Sequence, residues 1–219
     1  MTVYIDDEPV DVAGTDLDSV LAEARRRLEP EGRIVVDVEL DGQRLDSVQL
    51  AQQRRSNVDR LQVRLTTCDP RALATTTLHQ VRHELETARQ EQTEAAELLQ
   101  QDKQSEAVER IASAVNRWQH TQQAVVGASG LVGIDVNDLM VADQSAQAVI
   151  GELIEQLRGL RGLLAARDSV GLADVLLYEW PQTIDQWDRL VGAVIDAIQD
   201  ADHQDAAPED IGPQDDAHE

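Results

Sequence analysis

Two hydrophobic periods divide the chain. Up to residue 69, alternating apolar positions surround one helical stretch. Val3 and Ile5 alternate with polar neighbours, and Val10 and Val12 do so again beyond an Asp6-Asp7-Glu8-Pro9 turn, which predicts a hairpin. Gly14 breaks the alternation. Thr15, with Asp18 three residues on, marks a helix start, and Leu17, Val20, Leu21, Ala24 and Leu28 form that helix's apolar face before Pro30. Ile34 to Leu40 is rich in β-branched residues, Asp41-Gly42 is a two-residue hairpin signal, and Gln43 to Leu45 begins the return. After a polar stretch at 52–57, Leu61, Val63 and Leu65 alternate in a last strand.

From Pro70 onward the period is helical. Leu78, Val81, Leu85, Ala88, Ala95 and Leu99 mark one helix face, and Val108, Ile111, Val115, Trp118 and Val125 a second. Gly127, Gly130 and Gly133 with Ser129 predict a loop. Asn137 or Asp138 then starts a third helix with the stripe Val149, Ile150, Leu153, Leu157, Leu160 and Leu164. A short segment carries Val170, Ala173, Leu176 and Leu177. Pro181 stands where the last helix begins, with Ile184, Trp187, Val191, Val194 and Ile198 on one face. The expected fold class is α+β. A domain at 1–69 has the order strand, strand, helix, strand, strand, strand, which resembles the β-grasp (ubiquitin-like) arrangement. An antiparallel four- to five-helix bundle follows at 70–199. Residues 200–219 hold two prolines and one isolated Ile211, with no apolar period, and are expected to be a disordered acidic tail.

Charge narrows the partners. The 219 residues carry 42 acids against 19 bases, a formal net charge of −23. Nucleic-acid backbones are bound by clustered Lys and Arg, so nucleic acid is not an expected partner. Eight of the acids fall in residues 200–219, which have no Lys or Arg, so the tail holds a disproportionate share. Arg occurs eighteen times and Lys once, a ratio that biased composition or a saline interior would also produce. A single cysteine, Cys68, excludes an intrachain disulfide and multi-cysteine metal sites. The acidic N-terminus lacks the pattern of a signal peptide, and no apolar run is long enough to insert in a membrane. The expected location is the cytoplasm.

No reaction is written into the chain. His79 and His83 lie four apart on one helix face, but Gln80 stands where a zinc-protease motif needs Glu, and no third ligand is at motif spacing. With Arg82 nearby, either histidine could instead accept a phosphoryl group, a signalling alternative. The Gly127–Gly133 stretch follows a helix and lacks the Gly-Lys-Ser/Thr of a phosphate loop. Asp135, Asn137, Asp138 and Asp143 lack calcium-loop spacing, and capping explains Asn137 and Asp138 better. Cys68 has no CxxC partner. No enzyme, metal or cofactor is expected.

The unusual feature is aromatic. Five aromatics exist, and Tyr178, Trp180 and Trp187 fall within ten residues; Trp118 and Tyr4 are the others. Core packing at a helix junction is the first expectation. Tyr178 and Trp180 are two apart and cannot share a helix face, so one of them is a candidate for a groove or rim. The partner-binding candidates are Trp118, Tyr178, Trp180 and Trp187.

Ala95-Ala96-Glu97-Leu98-Leu99, a helix ending in an aromatic after an Ala-rich face, and the later Asp168…Leu172…Trp187 pattern make roughly residues 90–196 similar to the flagellin export chaperones. That resemblance implies a small acidic helical bundle holding amphipathic helices of a secreted protein, such as flagellin, in apolar grooves. The β-rich N-terminal domain and the lack of an aromatic-rich N-terminal segment depart from that family, and no binding residue is carried over. The expected function is a non-enzymatic protein-binding module, chaperone-like or adaptor. The alternative is a self-assembling homo-oligomer that buries the same stripes.

Overall fold

The computed structural model describes residues 1–12, 14–58 and 60–205. The fold is mixed α+β with a small N-terminal sheet, and the chain divides into two compact units, Met1–Ala74 and Thr75–Glu219.

In the first unit, β1 (Thr2–Ile5) and β2 (Glu8–Val10) form an antiparallel hairpin. Asp6 and Asp7 make its turn at φ 49° and 69°, a left-handed conformation that Asp tolerates better than most residues. Helix α1 (Leu17–Leu28) follows, capped by Asp16, whose carboxylate accepts from the Ser19 N–H at 2.8 Å. The cap is therefore Asp16, one residue beyond the expected Thr15. Strands β3 (Ile34–Leu40) and β4 (Gln43–Arg44) meet through Asp41 and Gly42, both at positive φ. β5 (Gln62–Cys68) is central, parallel to β1 and antiparallel to β3, in the order β2-β1-β5-β3-β4. Val3, Val38, Leu40, Val63 and Leu65 share one core with Leu17, Val20 and Ala24 of α1. Pro9 is confined to the edge strand, where its missing N–H costs no ladder bond.

The stretch after β4 contains a helix that the polar composition concealed. Helix α2 (Ser47–Gln53) has no buried residue, so it shows no apolar stripe. Its signature is a capping box. The Asp46 carboxylate accepts from the N–H groups of Val48 and Gln49, while the Gln49 side chain accepts from the Asp46 N–H at 3.0 Å.

Asp6 also ties the hairpin to the end of β5. Its carboxylate accepts from the Thr67 N–H at 2.7 Å, from the Thr67 hydroxyl, and from Arg33 at 2.9 Å. Partial burial alone would raise the Asp6 pKa, but those hydrogen bonds and the Arg33 charge outweigh it and hold the pKa below the usual carboxylate range. The folded state therefore gains stability from ionised Asp6 above the unfolded pKa of about 3.9, and loses it as pH falls through the lower folded value. Asp6→Asn keeps the turn's tolerance of positive φ and removes the charge. Urea titrations are expected to show a deficit of about 1 kcal/mol or less at pH 7 that closes as pH falls below the ordinary carboxylate range. A deficit that stays constant with pH would mean that the carboxylate's charge is not what Thr67 and Arg33 recognise.

Helix α3 (Pro70–Gln100), most of which belongs to the second unit, starts behind Asp69, whose side chain accepts from the Arg71 N–H at 2.8 Å. It runs antiparallel to α4 (Gln104–Leu131), with Arg110 paired to Glu94 and Arg117 to Glu91 and Glu84. The loop expected at Gly127–Gly133 is instead mostly helix. Buried Ala128 and Ser129 carry α4 through Gly127 and Gly130, and tertiary packing overrides a propensity deficit of about 1 kcal/mol per glycine. Only Gly133, at φ 74°, makes the turn.

The third helix also starts later than Asn137 or Asp138. Those residues form a 3₁₀ turn at Val136–Asp138, and the cap is Asp135, which accepts from the Asn137 N–H at 2.9 Å. A short hairpin follows, β6 (Met140–Val141) and β7 (Gln144–Ser145), and the Ser145 hydroxyl then caps α5 (Ala146–Ala166). Burial of Val141 fixes this hairpin in place.

α5 ends on Arg167 in the left-handed region, and Asp168 at once caps α6 (Ser169–Asp174) by accepting from the Gly171 N–H. A Cβ on Gly171 would lie 2.7 Å from that carboxylate, so the cap needs glycine there. α6 continues without a gap through a π-helical turn (Val175–Glu179) into α7 (Trp180–Asp205). The Trp180 N–H donates to the Val175 carbonyl five residues back. A proline ring crowds the carbonyl four residues before it, and the wider turn ahead of Pro181 relieves that. α7 extends past residue 199 because Ala201 prolongs the stripe of Val194 and Ile198. The remainder of the expected tail, 206–219, lies outside the described residues. Among the described residues, no helix is long and apolar enough to cross a membrane.

Candidate functional site

The aromatic junction is built by α4 and the π-turn run into α7. Trp118 is its hub. Its ring meets Trp187 with centroids 5.6 Å apart and Trp180 at 6.3 Å, both edge-to-face. All three indoles are about 1% exposed, and among the described residues none of their N–H groups has a hydrogen-bond partner. As partner-binding surfaces, Trp118, Trp180 and Trp187 are therefore corrected: they are core. The reason is phase. Trp180 lies seven residues before Trp187, two helical turns on the same face, and joins the buried series through Ile184, Val191 and Val194.

Tyr178 is turned the other way and is 68% exposed. It sits in the π turn between Val175 and Glu179. Those two residues line a groove of about 620 Å³ between this turn and α5. The α5 side of that groove carries Leu160 and Leu163 with Gly159 and Gly162, and a Cβ at either glycine would meet nothing within 4 Å. Two side chains are thus missing from one side of the groove, which exposes apolar carbon and backbone. Glu152, Glu155 and Glu179 bring acid to its lining, and Arg158 pairs with Glu155 at the surface. Gln156 is anchored by the hydroxyl of buried Thr183 on α7, which fixes α5 against that helix. The arrangement offers an apolar floor with acidic sides and an exposed phenol on the adjoining turn. Sequence reasoning found Tyr178 but missed Gly159 and Gly162. Their three-residue spacing on an apolar helix was the available signal.

The other candidates stay apart. His79 and His83 on α3 and His120 on α4 are exposed, and no set of three metal-donor side chains comes together among the described residues. Arg82, the base beside the histidines, reaches Asp188 on α7 at 3.1 Å. Cys68 is half-buried at the end of β5. Burial pushes its thiol pKa up, and Asp69 and Asp6 add to this against the opposing charge of Arg33, so it stays protonated and poorly nucleophilic at neutral pH. Comparison of the chain with protein-family models, with curated proteins and with solved structures returned no match.

Proposed function

We propose that the chain is a non-enzymatic protein-binding module that holds an amphipathic helix of a partner in the groove between α5 and the π turn. The observation that carries this is the pairing of an apolar floor, opened by Gly159 and Gly162, with Glu152, Glu155 and Glu179 around it. A helix laid there would place its i, i+3, i+4 anchors on Leu160, Leu163 and Val175 and its basic flank toward the glutamates. Tyr178 supplies an aromatic contact of the kind that dominates binding energy. On this reading the sheet order with α1 between β2 and β3 is a β-grasp, the helices from Pro70 form an antiparallel bundle, and the similarity to secretion chaperones reflects a common way of keeping an apolar segment covered.

Calorimetric titration of the full chain with a Leu/Lys amphipathic helix of about 18 residues tests it. Saturable binding is expected, weakened about 10-fold by Tyr178→Ala and more by Gly159→Leu, with circular dichroism unchanged. Equal binding by all three chains would place the peptide elsewhere. If the free chain instead dimerises with rising concentration in light scattering, and Gly159→Leu alone abolishes the dimer, the groove serves self-assembly.

A further inference from the structure

The first unit carries a second groove, of different chemistry, on the edge of its sheet. β4 pairs with β3 only at Glu39 and Leu40, and the Leu45 N–H donates to the Val38 carbonyl. On that side, Ile34–Asp37 have no strand neighbour among the described residues. Helices α1 and α2 flank this open stretch and leave a groove of about 590 Å³. Core side chains come to its surface: Leu21, Val35 and Leu50 pack on the buried cluster but are only half-buried. A bulge between Val35 and Asp37 leaves Val36 43% exposed in the lining.

An open strand edge beside half-covered core is normally blunted by charge or capped by another element. Here the lining is mostly basic. The lining holds Arg25, Arg33 and Arg54 against the single acid Asp37, in a unit whose acids outnumber its bases. Asp37 is already paired with Arg44, Arg33 with Asp6, and Arg54 with Asp18. Arg25 has no ion pair among the described residues, so its charge is the one left for a ligand.

We propose that this edge binds an extended segment of a partner protein, with aliphatic side chains flanked by acids, added alongside β3. Its backbone would hydrogen-bond to the unpaired stretch at Ile34–Val35. Its aliphatic side chains would fill the space over Leu21, Val35 and Leu50, and its acids would face Arg25. The unpaired backbone selects an extended chain over a helix, and the Arg25 guanidinium selects acids over bases. This site is independent of the α5 groove, which offers acid and would take a basic helix.

Fluorescence anisotropy on the full chain, with labelled peptides of about ten residues, decides it. One peptide has a Val/Ile core with Asp flanks. A second has the same core with Lys flanks, and a third is the Asp peptide with alternate backbone nitrogens methylated. Saturable binding of the first is expected, with at least a 10-fold loss for each of the other two. Arg25→Glu should lower affinity about 10-fold while Arg25→Lys restores most of it. Arg25 is exposed, so neither substitution disturbs the core. No saturable binding, equal binding of the Asp and Lys peptides, or an Arg25→Glu chain that binds like the parent would each overturn the proposal.

Discussion

Trp118→Ala is expected to remove about 3–5 kcal/mol of stability from the helical unit, the largest effect of any single substitution considered. Trp118 is the one indole in contact with both others, so its loss opens a cavity bordered by Trp180 on the first turn of α7 and Trp187 two turns later. Rigid neighbours collapse poorly into such a space, because each ring is held by a separate turn of the same helix. For a unit of this size the loss corresponds to a melting temperature lower by about 10–20 °C. Trp118→Phe should cost far less, since it keeps most of the ring and removes an indole N–H that has no partner among the described residues. Urea unfolding followed by the fluorescence of Trp180 and Trp187 reads the effect within the second unit. A loss below 1 kcal/mol for the alanine variant would mean that the three rings are not one packed cluster. The contrast with Tyr178→Ala matters for function. Tyr178 is exposed, so its truncation should leave the melting temperature nearly unchanged while weakening peptide binding.

These two aromatics show how far the sequence reaches. Periodicity alone put Trp187 inside with Ile184 and Val191, and spacing alone required Tyr178 and Trp180 to face apart. Which of the two is buried depends on the helix running back through Trp180 to Leu176, and Pro181 read locally as a helix start conceals that continuity. The π turn is a tertiary solution with no propensity signal of its own. Helix α2 was hidden for the opposite reason, because none of its residues is fully buried, Leu50 only in part, and its clearest mark is the Asp46–Gln49 capping box. Gly127 and Gly130 misled because glycine disfavours helix intrinsically, while buried Ala128 and Ser129 hold it there. The alternating strands and the Asp41-Gly42 turn were legible because a period of two and a two-residue turn need only local residues. The α5 groove was not, since it consists of what Gly159 and Gly162 lack.

Arg117→Ala is the second large prediction, and it concerns the ionic pairing of α3 with α4. Glu91 is buried on α3, and its carboxylate is satisfied from the opposite helix, by the Ser113 hydroxyl at 2.8 Å and the Arg117 Nε at 3.0 Å. Arg117 also donates to Glu84, two turns earlier, so one guanidinium bridges two acids on the same face of α3. Those hydrogen bonds, Glu91 first and then Glu84, raise the Arg117 pKa above its already high usual value against a smaller opposing effect of burial. A raised pKa contributes stability that is fully present below the unfolded value, so the guanidinium keeps its charge at every pH the fold survives. Truncating it leaves Glu91 buried with one hydroxyl donor, and because the Arg117 side chain is itself about 30% exposed, breaking the pair from one side costs about 1–3 kcal/mol. Removing both partners is different. Glu91→Met with Arg117→Met takes the charge out of the interface altogether and should recover most of that loss, because the desolvation penalty disappears with the ions. A double-mutant cycle by urea denaturation would show this as a coupling of about 2 kcal/mol between positions 91 and 117. Additive losses would mean that Glu91 is stabilised by Ser113 and solvent alone. The register of the α3–α4 pair would then rest on its apolar rungs, Leu85, Ala88, Ile111 and Ala114, rather than on this ionic bridge.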